Sequence, residues 1–132
     1  MKYLLDTDTL IYVFKRAGNC LARLNPKNDS DVAISTINLS ELEYGMGRTG
    51  NRIKMDSYVL SLCRRYAVLD FDRAASVQAG AMRALLQPRG TPIGPYDVQI
   101  AGIALANNLT VVTRNVREFS KVPQLKVENW YD

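Results

Sequence analysis

The chain has 132 residues, 47% of them hydrophobic and 23% charged, which predicts one domain over residues 1–132 with a single proper core. Seventeen basic against thirteen acidic residues leave a net charge of +4, a mild lean toward a polyanionic partner. Histidine is absent, which removes histidine general bases, Ser-His-Asp triads and histidine zinc sites, so hydrolytic chemistry would have to run on carboxylates and metal ions.

Lys2 to Leu5 reads as a brief apolar strand ending on Asp6, and Thr9 to Arg16 carries helical spacing through Leu10 and Tyr12 to Phe14. Asp8, next to Thr9, is the better N-cap candidate for that helix. The turn-rich NPKNDSD precedes VAIS (32–35), a second buried strand. Helices follow from Thr36 to Met46 and from Ile53 to Tyr66, the latter with Met55, Tyr58, Val59, Leu62 and Cys63 in register. AVLDF (67–71) is a third strand, and Asp72 caps a helix that Pro88 and Gly90 stop near Gln87. After the rigid loop QPRGTPIGP (87–95) come an apolar helix from Tyr96 to Asn107, a fourth strand at 109–113 and a short fifth at 125–129.

The apolar stretches QIAGIALA and LTVVT are too short to cross a bilayer, and MKYLLDTDTL lacks the pattern of a signal peptide, so cytoplasmic residence is expected. Cys20 and Cys63 have neither disulfide-framework nor zinc-knuckle spacing and read as buried structural thiols. Basic residues gather at 14–16, 63–66 and 113–121, where a solvated surface is the ordinary alternative to a binding patch.

Short apolar strands alternating with helices predict an α/β domain, a mainly parallel sheet of about four to five strands covered by helices on both faces. Sites in such sheets form beyond the carboxyl ends of the strands. Strand one ends at Asp6, strand two runs into the helix of Glu41, Asp97 opens the helix leading to strand four, and Asn115 lies just past Thr113. Each acid alone has an ordinary explanation: a cap for Asp6 or Asp8, a salt bridge for Glu41, a favourable helix dipole for Asp97. Together, three acids at one sheet edge would repel one another, and Mg²⁺, which takes oxygen ligands, is the usual remedy. Paired Mg²⁺ ions align water against a phosphodiester without histidine.

The blocks LLDTDTLIY, ISTINLSELEYG, GTPIGPYDVQIAGIAL and LTVVTRNVREFSKVPQLKVENW, in this order, resemble PIN-domain ribonucleases and, more narrowly, the VapC toxins of bacterial toxin–antitoxin pairs. The resemblance covers essentially the whole chain. It implies a compact α/β/α endoribonuclease dependent on Mg²⁺, with Mn²⁺ as substitute. The family's metal-binding acids fall on Asp6, Glu41 and Asp97, and its fourth position falls on Asn115, where many relatives carry Asp. A supporting role is implied for Asp8; Thr7 and Thr113 would support the metal water or the acids, or else bond the local backbone. Arg114 and Arg117 would hold RNA phosphates or be plain surface arginines. The resemblance further implies structured RNA as substrate, notably the anticodon loop of initiator tRNA, neutralisation by a VapB-type antitoxin, and a homodimer within toxin–antitoxin assemblies.

Two other classes compete. DTDTL matches the D-x-D start of haloacid-dehalogenase phosphotransferases, but VVTRN offers no later acidic pair and the chain is short. A non-catalytic receiver-like or PIN-derived module would grip RNA or protein without cutting. A receiver needs a lysine after the fourth strand, and a degenerate PIN domain would have lost one of Asp6, Glu41 or Asp97.

Overall fold

A computed structural model describes residues 1–50 and 52–132. Five strands, β1 (Tyr3–Leu5), β2 (Val32–Ser35), β3 (Ala67–Leu69), β4 (Thr110–Val112) and β5 (Val127–Glu128), form one sheet in the order β3-β2-β1-β4-β5. Every pairing is parallel; Leu4 stands beside Ala33 on one side and Val111 on the other. Such pairing requires crossovers, and seven α-helices among the described residues supply them. These are α1 (Thr7–Lys15), α2 (Cys20–Leu24), α3 (Thr36–Thr49), α4 (Arg52–Arg65), α5 (Arg73–Leu86), α6 (Pro95–Ala106) and α7 (Val116–Phe119).

Because strand side chains alternate, the sheet feeds two cores. Leu4, Ala33 and Val111 pack with α5, α6 and α7 through Ala75, Ile100, Ala104 and Phe119. Leu5, Val32, Ile34 and Val112 pack on the opposite face against Leu10, Cys20, Leu42, Leu62 and Trp130. Leu4 and Leu5 are both fully buried, each a contribution of roughly 1.5–3 kcal/mol. The helix α6 is apolar almost all round because it lies between the sheet and α5. A Cβ on Gly102 would stand 2.6 Å from the Ala75 carbonyl oxygen, so only glycine allows α5 this close.

The predicted α/β architecture matches what is observed, with differences at the edges. The first helix begins at Thr7 and not Thr9, and its N-cap is Asp6, whose carboxylate accepts from the Thr7 N–H. Asp8 is therefore inside the first turn, and the capping role assigned to it belongs to Asp6. The short α2 and α7, and a 3-10 turn at Asp29–Asp31, were not anticipated, since three to five residues are too few to display a helical period. Cys20 is buried as expected, but Cys63 is exposed. The inward stripe of α4 runs through Met55, Tyr58, Val59, Leu62 and on to Tyr66, leaving Cys63 one step outside it. No helix among the described residues is long and apolar enough to cross a membrane.

Chain order places β1 in the middle, with β2 and β3 on one side and β4 and β5 on the other. The switch point is thus the crevice between the carboxyl ends of β1 and β4, where ligands of open parallel sheets bind.

Candidate active site

Asp6 lies at that crevice. Only 6% exposed, it is held at both oxygens: Oδ1 accepts from Thr7 N–H at 2.9 Å and Oδ2 from the Thr113 hydroxyl at 2.8 Å. Thr113 stands just past β4, so this bond ties the two strand ends together. Its oxygen also accepts the Asn115 N–H at 3.0 Å, which fixes the turn into α7. Asp8, one turn position further, accepts the Arg114 N–H at 3.1 Å and lies 3.2 Å from the Thr9 hydroxyl. Burial first, and the neighbouring Asp8 charge second, push the Asp6 carboxyl up to about 7.

Glu41 approaches from α3. Its Oε1 accepts the Thr7 hydroxyl at 2.7 Å, and Thr7 in turn accepts from Asn38 Nδ2 at 2.9 Å. Asn38, fully buried, caps its own helix reciprocally: its N–H bonds Ser35 Oγ while its Oδ1 accepts from the Ser35 N–H. A relay Ser35–Asn38–Thr7–Glu41 therefore orients the carboxylate. Sequence reasoning missed Asn38, although its signal was present. S-T-I-N has capping-box spacing with Asn in the place usually held by Glu or Gln.

Asp97 sits in the first turn of α6, behind Pro95. Burial raises its carboxyl to about 6, followed by the charges of Glu118, Glu41 and Asp8. The acid that acts most strongly on Asp97 is thus Glu118 of α7, which the sequence reading had not singled out. Glu118 accepts the Gly94 N–H at 2.8 Å and pairs with Lys121 at 2.7 Å, while Lys121 also reaches the Pro92 carbonyl at 3.0 Å. These two bonds hold the Glu118 carboxylate below its ordinary range, the Lys121 bond being the stronger cause. They clasp the loop before α6 to α7. A Cβ on Gly94 would come 3.3 Å from Asp97 Oδ2, so glycine leaves the acid its space.

Residues 3–125 match the PIN domain. Over 98% of both chains the sequence is 38% identical to the tRNA(fMet)-specific endonuclease VapC of Salmonella typhimurium, and 34% identical to ribonuclease VapC2 of Rickettsia felis. The chain belongs to the PIN-domain family, in its VapC branch. Its fold superposes on DNA-bound VapBC from Salmonella typhimurium with a TM-score of 0.89, at 40% identity and 98% coverage of each chain. VapBC2 from Rickettsia felis bound to a promoter DNA fragment gives 0.88 at 32% identity, covering 98% of this chain and 99% of that one.

In this PIN domain the acids brought to one edge are Asp6, Asp8, Glu41, Asp97 and Glu118. Among the described residues no three close tightly enough to enclose an ion by themselves. The donors nonetheless fit Mg²⁺, which prefers oxygen, keeps several waters and binds through one or two carboxylates completed by substrate phosphate. Burial is the main reason both carboxyls are raised, and neighbouring acids, Asp8 for Asp6 and Glu118 then Glu41 for Asp97, raise them further. Asn115 reaches the site through its backbone; it starts α7, and its carboxamide makes no capping hydrogen bond. Arg114 is exposed and is held by two aromatic neighbours. Its guanidinium stacks 3.6 Å from the centre of the Tyr131 ring and donates to Tyr12 Oη at 3.4 Å. Arg117 is exposed on α7.

Proposed function

We infer that this PIN domain is an endoribonuclease, the toxin member of a toxin–antitoxin pair. The observation that carries this is the convergence of Asp6, Glu41 and Asp97 on the β1–β4 switch point. Near full-length similarity to proteins named ribonuclease VapC and tRNA(fMet)-specific endonuclease VapC supports it. By the same similarity the substrate we propose is structured RNA, with tRNA and its initiator form first. The neutralising partner would be a VapB-type antitoxin, since the similar solved structures are VapBC complexes. A homodimer is the solution form we propose for the toxin.

The reaction would depend on Mg²⁺, replaceable by Mn²⁺, held through Asp6, Asp97 and Glu41, with Asn115 and Glu118 at the edge of the site. Bound there, such an ion supplies an activated water and offsets charge on the phosphodiester. The chain's own contribution is orientation. Thr113 and the Thr7 N–H fix the Asp6 carboxylate, the Asn38–Thr7 relay fixes Glu41, and the Glu118–Gly94 clasp fixes the start of α6. Asp8 steadies the segment after β4 through Arg114 N–H.

The test is purified protein incubated with a total tRNA pool and Mg²⁺, with new RNA ends mapped by sequencing. Discrete cuts in one or a few tRNAs are expected. An uncut pool, or phosphate transferred from a small phosphoester onto Asp6, would refute the assignment.

A further inference from the structure

Resting on the ribonuclease assignment, we propose that the cleft between Tyr44 and Tyr96 is a nucleobase site. It takes an unpaired base of the RNA next to the phosphate being cut. The cleft encloses about 480 Å³ and is lined by Thr7, Ile11, Glu41, Tyr44, Arg48 and Tyr96, so it opens directly beside the acids. That volume lies in the range of ordinary small-molecule pockets.

The placement of aromatic side chains supports this. Of the seven tyrosines, three phenylalanines and one tryptophan, all among the described residues, only Tyr44 and Tyr96 are exposed, at 72% and 58%. Both lie at this cleft. Each is also tied to an acid of the site: Tyr44 follows Glu41 by three residues on α3, hence on one helix face, and Tyr96 directly precedes Asp97 on α6. No core requirement explains either ring.

Arg48 stands 6.0 Å from the centre of the Tyr44 ring, a weak cation–π placement that keeps a guanidinium at the cleft wall. Aromatic faces with a guanidinium, on a chain of net charge +4, are the features that bind unstacked RNA bases and their phosphates. A phosphodiester lying on Asp6, Glu41 and Asp97 would bring its neighbouring base within reach of these rings. The cleft would therefore read the base beside the cut, while the acids read none.

The experiment uses a fluorescein-labelled copy of the stem–loop that the protein cuts fastest in a total-RNA digest. Binding is measured in EDTA and cleavage in Mg²⁺, for wild type, Tyr44→Ala, Tyr96→Ala and the corresponding Phe variants. Truncation is expected to weaken RNA binding roughly 5- to 150-fold, to appear in KM more than in kcat, and to be restored by Phe. The loss should vanish when the nucleotide flanking the cut is replaced by an abasic ribose. Alanine variants that bind and cut like wild type, or lose equally on the abasic RNA, would overturn the proposal. So would variants that cut RNA normally but escape inhibition by the antitoxin, since the cleft would then be a protein-docking surface. A wild type that binds and cuts no RNA would instead overturn the ribonuclease assignment beneath it. Both rings are exposed, so unchanged thermal unfolding should accompany every variant.

Discussion

Asp6 serves as helix cap, strand tie and candidate ligand at once, and its surroundings set a measurable pH dependence. Its carboxyl is raised from 3.8 to about 7 in the folded protein, by burial first and Asp8 second. Between about pH 4 and 7 the metal-free folded state keeps a proton that the unfolded chain has released. The contribution of Asp6 to stability falls as pH rises through that window and then levels off. Urea unfolding in EDTA from pH 4 to 8 should trace this fall, and Asp6→Asn should make it shallower, leaving the part due to Asp97; an unaltered slope in the variant would contradict the assignment. Thr113→Val keeps the shape of a fully buried side chain but strips Asp6 Oδ2 and the Asn115 N–H of their partner. It should cost about 1–3 kcal/mol of stability. It should also lower RNA cleavage by about 10–100-fold, as losses of ligand-orienting bonds do. Of the positions gathered at this edge, Asp6 was legible at a strand end, Asp97 at a helix start, and Glu41 in the helix that strand two runs into. For Asn38 only the capping-box spacing was legible; its part in the relay between β2, α1 and α3 is assembled by the fold.

Elements position these residues through contacts that local periodicity does not reveal. Strands of uninterrupted Val, Ile, Leu and Ala were readable, and so was the parallel sheet, because burial on both faces leaves no polar alternation. The helix α7 was hidden: four residues carry no period, and VREF reads equally well as loop. With it went Glu118, whose closeness to Asp97 depends on α7 packing against α6. The close approach of α5 to α6 was likewise invisible until Gly102 met the Ala75 carbonyl. Gly102→Ala should therefore destabilise by about 1–3 kcal/mol in denaturant titration, although alanine favours helix at an open position. Lys121→Met should act on activity more than on stability. A partly exposed ion pair contributes at most about 1 kcal/mol, so unfolding should change little. Cleavage should nevertheless drop, because the loop leading to Asp97 loses the Lys121 bridge from the Pro92 carbonyl to Glu118 and keeps only the Gly94–Glu118 bond. Equal losses of stability and activity would mean that the clasp is merely structural.

At the scale of the molecule, the fold gathers acids from β1, α3, α6 and α7 to one crevice of a chain that is otherwise net basic. On the proposed function, a basic body would draw RNA toward an acidic centre, and a divalent cation bound there would relieve the repulsion within it. Association with RNA should accordingly weaken as salt rises, whereas the requirement for metal should not. The most direct measurement is cleavage of the mapped tRNA substrate by wild type and Asp97→Asn in EDTA, followed by titration with Mg²⁺ or Mn²⁺. Wild type should be silent in EDTA and recover fully with either ion, while folded Asp97→Asn stays silent throughout. Undiminished cutting in EDTA, or by folded Asp97→Asn, would contradict a metal-dependent site built on these acids.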